Sequence, residues 1–112
     1  MSTDGLSFRT EIQEGVAVVY CGGTLMAGGT AALRAEVKGL FPRVQRVVLD
    51  LTGLTRMDSM GLGAIVSLYV SAKAAGCELT MANFGERVRQ LLIVTNLLAV
   101  FEEYGKHIVK MP

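Results

Sequence analysis

Histidine is nearly absent from this 112-residue chain. His107 is the only one, close to the C-terminus and without an evident partner, so it reads as a surface residue and not as the base of a nucleophilic triad. Cysteine is almost as scarce. Cys21 and Cys77 lie far apart, make no C-x-x-C pair and give no metal-ligand spacing, so they read as free structural thiols of a cytoplasmic protein. An excess of one charge is missing too. Eleven Lys and Arg against ten Asp and Glu leave +1, with no dense basic run to neutralise phosphates, which removes the electrostatic case for nucleic acid. Nor is there a long apolar run. The stretch Met60 to Ala72, bounded by Asp58 and Lys73, falls short of the ~20 residues needed to cross a hydrocarbon core. Met1 to Glu11 contains Asp4 and Glu11 and lacks a basic start followed by an apolar block, so it is not read as a secretory signal. Direct membrane insertion is therefore not expected.

What is present is apolar. Hydrophobic residues make up 51% and charged ones 19% of the chain, the latter against ~25% in an average domain. Such a composition excludes a disordered chain, which could not bury so much apolar surface. The length fits one domain, 1–112, with a core of about 6–104 and a tail or last strand beyond it.

The hydrophobic pattern supplies the elements. Leu6, Phe8, Thr10 and Ile12 alternate with polar residues as in a half-buried strand. Glu14-Gly15 reads as a tight turn into a second strand, Val16 to Cys21, completing a hairpin. Gly22 to Gly29 reads as a glycine-rich loop, and Thr30 as the cap of a helix reaching Leu40, with Leu33, Val37 and Leu40 on one face. Arg46 to Leu51 has the nearly unbroken apolar character of an inner strand covered on both sides. Thr52 to Asp58 reads as a connection. A helix from Ser59 to Ala75 follows, with Leu62, Ile65, Val66, Tyr69 and Ala72 at helical spacing and Gly76 as its stop. Glu78 to Ala82 is a further strand. Asn83 and Glu86 have the spacing of a capping pair, before a helix that buries Val88, Leu91, Leu92 and Thr95 and ends at Asn96 in a left-handed stop. Leu97 to Phe101 suggests another helical turn, and His107 to Met111 either a strand or a tail. The order predicts an α/β fold: a mixed central sheet with an N-terminal hairpin and helices packed on it.

Two segments invite a functional reading. Gly23 to Thr30 matches a phosphate-binding P-loop except that Gly29 replaces the lysine. Without that ammonium the phosphates lose their main cationic contact, and the segment reads as a structural loop. The second segment is Asp58-Ser59-Met60-Gly61-Leu62, at the start of the best-patterned helix. Ser59 can cap or begin that helix, where backbone N–H groups and the macrodipole favour negative charge. A phosphate on Ser59 would add roughly −1.5 to −2 charge beside Asp58 and a partly apolar patch of Met57, Met60 and Leu62. The helix N-terminus tolerates that charge; a partner docked on the patch would not.

Val47 to Leu62 resembles the signature of the STAS-domain anti-sigma factor antagonists, in which a strand ending Asp-Leu-Ser/Thr-Gly leads into Asp-Ser-x-Gly-Leu. The similarity extends through Gly63, Tyr69, Ala72 and Gly76 to Arg87–Leu92 and Phe101–Tyr104, covering about residues 15–104. It implies a non-enzymatic partner-switching regulator without a cofactor of its own. Ser59 would be phosphorylated by an anti-sigma factor serine kinase, to which ATP and Mg²⁺ belong, and reset by a PP2C-type phosphatase. Asp58, Met60, Gly61, Leu62, Met26 and Leu25 would form the partner-binding surface, with Gly61 permitting close approach at the helix start. A homodimer stays open. One departure is clear: where the family usually has Gly-Glu-Leu-Asp, this chain has Gly23-Thr24-Leu25-Met26, so its kinase recognition is expected to differ. The alternative is a constitutive STAS subunit gripping the cytosolic ATPase of a lipid or anion transporter.

Overall fold

Ser2–Thr3 (β1), Leu6–Gln13 (β2) and Val16–Leu25 (β3) run antiparallel at one side of a five-stranded sheet, and the computed structural model describes residues 2–3 and 5–96 of the chain. The β2–β3 turn is made by Glu14 and Gly15, with φ of 52° and 79°, the pair of left-handed residues that matches a two-residue turn to the strand twist. Thr30–Leu40 (α1) leads to Arg46–Met57 (β4), Ser59–Ala74 (α2) leads to Glu78–Ala82 (β5), and Glu86–Val94 (α3) follows. β4 pairs in parallel with β3 and with β5, so the sheet is mixed, in the order β1-β2-β3-β4-β5. The expectations for residues 97–112, including His107, lie outside the described residues. No helix among the described residues is long and apolar enough to cross a membrane.

One core holds these elements together. Alternate residues of the strands, Ala17, Val19 and Cys21 on β3, Val47, Leu49 and Leu51 on β4, and Leu79 and Met81 on β5, join Leu33, Val37 and Leu40 of α1. The same cluster takes in Leu62, Ile65, Leu68 and Ala72 of α2 and Val88 and Leu92 of α3. The opposite face of the sheet is mixed in character. There Val48 and Ala82 are buried with Val16 and Val18 beside them, and Arg46 Nε donates to Glu78 Oε1 at 2.6 Å across the parallel pair.

The structure corrects several sequence expectations. The glycine-rich segment is not a loop from Gly22 to Gly29, nor is Thr52 to Asp58 a connection. β3 and β4 continue side by side to Leu25 and Met57, through two register irregularities. Glycines make that extension feasible: a Cβ on Gly53 would lie 3.2 Å from both Cys21 O and Gly22 Cα. Of the glycine-rich segment only residues 26–29 remain outside the strand, 27–29 of them as a 3₁₀ turn. Thr30 does not cap α1. Gly29 holds that position, and the Thr30 hydroxyl donates to Ala27 O at 3.2 Å. The Asn83–Glu86 capping pair does not form either. Asn83 adopts φ 59°, its amide donates to Asp50 Oδ2 at 3.0 Å, and Gly85 is the N-cap of α3. Thr95 is exposed, with its hydroxyl donating to Leu91 O at 2.8 Å. Gly76 and Asn96 do take the left-handed conformation expected of helix stops, at 73° and 60°.

Both cysteines are free and buried. Burial first, and the charge of Asp50 second, push the Cys21 thiol up from 9.0 to about 12. Burial likewise raises Cys77, partly offset by its bond to the Glu78 carbonyl. The raised folded-state value means this stabilisation is complete below pH 9.0 and lost as pH rises towards about 12, because only the unfolded chain deprotonates in that window. Urea titrations across it should show stability falling by up to about 1.4 kcal/mol per pH unit from Cys21. The Cys21→Ala variant should lack that part of the slope.

Candidate functional site

The parallel pairing of β3 with β4 builds the site by bringing two distant segments to one corner. Leu25 stands opposite Met57 and Thr24 opposite Arg56. The Asp58 N–H donates to Leu25 O at 3.4 Å, so the end of β3 holds the point where β4 turns into α2. Met26 follows in extended conformation, half-buried, and its carbonyl accepts from Gly29 N at 2.9 Å.

Asp58 is the N-cap of α2. Its backbone is extended (φ −105°, ψ −175°), its Oδ1 accepts from Gly61 N at 2.9 Å, and its carbonyl accepts from Leu62 N at 3.0 Å. The sequence leaves open whether Ser59 caps or begins the helix. In the structure it begins it, as the first helical residue, exposed. Its hydroxyl thus sits in the first turn, where the macrodipole is positive. Asp58→Ala should cost about 1 kcal/mol as a lost cap, whereas Asp58→Asn should keep most of that stability while removing the charge. Chemical denaturation of the two variants separates the cap from the charge.

Gly61 and its neighbours divide the expected surface into a visible part and a buried support. A Cβ on Gly61 would overlap the Leu25 carbonyl oxygen and lie 2.9 Å from Met57 Cγ and 3.0 Å from the Leu25 carbonyl carbon. The first turn of α2 therefore lies directly on the end of β3. Leu25 and Leu62 are not surface residues. They are 0% and 3% exposed, locked in the core because strand and helix turn their inner faces towards each other there. Gly61 is buried as well. What solvent meets is Ser59, Met60 at 60% exposure, half-buried Met26 and half-buried Asp58.

The face continues along α2 with few charges. Gly63 and Val70 are exposed, the latter 60%, and Ser67 is half-buried. No charged residue occurs in α2 before Lys73. Sequence reasoning passed over Arg56, exposed beside Thr24. The available signal was that it is the only basic residue between Thr52 and Ala72.

The family model that matches residues 7–110 is that of the STAS domain. The chain belongs to the STAS domain family. As a STAS domain it is a regulatory module without catalysis of its own. It is similar to a curated anti-sigma F factor antagonist of Paenibacillus polymyxa, 28% identical over 105 residues that make up 92% of this chain and 90% of the relative. Among solved structures, an anti-sigma factor antagonist from Mycobacterium paratuberculosis matches with a TM-score of 0.76 at 21% identity, covering 88% of this chain and 84% of that one. The Bacillus cell fate determinant SpoIIAA in its phosphorylated form matches with a TM-score of 0.69 at 18% identity, covering 85% and 87%. At these identities the structural likeness is one of STAS fold.

Proposed function

We propose that this STAS domain, as a single unit over residues 1–112, is an anti-sigma factor antagonist in a cytoplasmic partner-switching system. In the unmodified state it binds an anti-sigma factor that is also a serine kinase, so that the sigma factor is released. The kinase transfers the γ-phosphoryl group of ATP to Ser59 Oγ, the serine proton leaves, and the phosphorylated form dissociates. A PP2C-type phosphatase hydrolyses the ester and restores binding. The observation that carries this reading is the position of Ser59: exposed, first in α2, beside a capping carboxylate and next to exposed Met60. The hydroxyl is open to a kinase, the helix end accommodates the anion, and the apolar neighbour makes a charge there costly to any docked partner. Relatedness to an anti-sigma F factor antagonist supports the same reading.

The partner surface in this proposal is Asp58, Ser59, Met60 and Met26, with Leu25, Gly61 and Leu62 acting beneath it as supports. The test is incubation with an anti-sigma factor serine kinase from the same organism, ATP and Mg²⁺, followed by mapping of phosphate by mass spectrometry. Stoichiometric modification at Ser59, abolished in Ser59→Ala, is the expected result. An unmodified Ser59, together with unchanged partner binding by Ser59→Asp, would overturn the switch and leave a constitutive STAS subunit.

A further inference from the structure

The corner where β3, β4 and α2 meet carries a charged side chain to which the switch as described gives no role. Arg56 is exposed, and among the described residues its guanidinium has no ion pair. It stands three residues before Ser59, at most about 10 Å of chain, and the turn from strand to helix at Asp58 shortens that span. Met57, between them, packs against the core, while Arg56 and Ser59 both face solvent.

A phosphate on Ser59 gains from a counter-charge at this corner beyond what the helix end supplies. Asp58 is negative and adjacent, and two of the N–H groups at the start of α2, those of Gly61 and Leu62, are already bonded to Asp58. The end of β3 and the turn after it, residues 24–29, bring no charge at all, and the first charged residue of α1 is Arg34. We infer that Arg56 is the counter-charge of phosphorylated Ser59, its guanidinium pairing with the phosphoryl oxygens across the strand-to-helix corner. The inference rests on the reading of Ser59 as the phosphoacceptor. Guanidinium and phosphate match in geometry as well as in charge, and a two-point contact is available to them. Phosphorylation then changes the docking face twice: it adds an anion and withdraws the cation that the unmodified form offers to a partner.

The test needs no kinase. Phosphoserine is inserted at position 59 by genetic encoding, in the wild-type sequence and in Arg56→Gln and Arg56→Lys, and each phosphate is titrated by ³¹P NMR. A free phosphoserine titrates near pH ~6. The wild-type phosphate should titrate about half a pH unit below that of Arg56→Gln, a screened version of the shift an adjacent opposite charge produces. Arg56→Lys should retain most of the difference, and 1 M salt should close it. Asp58 is present in all three proteins and cancels in the comparison, and thermal melts check that the exposed substitutions leave the fold intact. Superimposable titration curves for wild type and Arg56→Gln would overturn the inference. An unmodified Ser59 in the kinase experiment would instead count against the switch, with the titration result standing separately.

Discussion

Replacing Gly61 by alanine is expected to destabilise the domain by about 2 kcal/mol or more, whereas the same change two residues on, at Gly63, should stabilise it. Alanine gains up to about 1 kcal/mol over glycine inside a helix, so propensity alone favours both substitutions. The surroundings reverse the sign at one of them. A Cβ on Gly63 meets nothing within 4 Å, while a Cβ on Gly61 overlaps the Leu25 carbonyl oxygen and crowds Met57 Cγ at 2.9 Å. The methionine side chain can yield. The carbonyl cannot, because Leu25 belongs to β3, pairs with Met57 and accepts the Asp58 N–H. Overpacking of this kind costs typically ~1–3 kcal/mol and sometimes more. Relief requires α2 to lift from the sheet, which would loosen the Asp58 cap and displace Ser59. Thermal melts should therefore move in opposite directions, by roughly 4 °C per kcal/mol for a domain of this size. Equal shifts would mean that the first turn of α2 is not seated on β3 as described. Phosphorylation of Gly61→Ala should be impaired as well, while that of Gly63→Ala should not.

The same contact shows what the sequence could and could not disclose. Hydrophobic period carried most of the fold, since Val47 to Leu51 and the Leu62–Ala72 stripe declare an inner strand and a core-facing helix without any tertiary knowledge. Composition misled at Gly22 and Gly23. Glycines next to a threonine look like loop, yet here they are spaces into which the neighbouring strand fits, opposite Gly53 and Leu54. Only the partner strand makes that visible. Caps failed for a similar reason. Asn83 has the spacing to cap α3, but Asp50, far away in sequence and adjacent in the sheet, holds its amide instead. At the site the motif Asp58 to Leu62 was legible as a helix start with an open serine. Its division into surface and support was not, because an apolar residue beside a motif can face either way. Leu25 and Leu62 turn inward, Met60 outward, and helix phase decides which.

Phosphorylation of Ser59 should weaken partner binding by at least about 100-fold, a little under 3 kcal/mol, and Ser59→Asp should reproduce only part of that loss. The reason lies in what surrounds the hydroxyl. Met60 at 60% exposure and half-buried Met26 provide apolar area that a partner would cover, removing water from the first turn of α2. A phosphate of roughly −1.5 to −2 charge placed there, only partly offset by Arg56, loses hydration unless the partner supplies further cations, and such mismatches cost several kcal/mol. Aspartate carries one charge on a shorter side chain and should lose about 10-fold. Ser59→Ala keeps the apolar surface and should bind within a few-fold of wild type. Met60→Ala tests the other half of the mechanism, since truncating an exposed apolar anchor central to an interface costs ~1 kcal/mol or more. Titration calorimetry at two salt concentrations separates the causes. A loss that salt repairs is Coulombic repulsion at the rim, whereas one that persists at high salt is desolvation of the anion. The apolar neighbours of Ser59 favour the second outcome, which would make the proposed switch a matter of wetting a dry contact more than of repelling a like charge. Phosphorylated protein binding as tightly as unmodified protein would place the partner surface elsewhere on the domain.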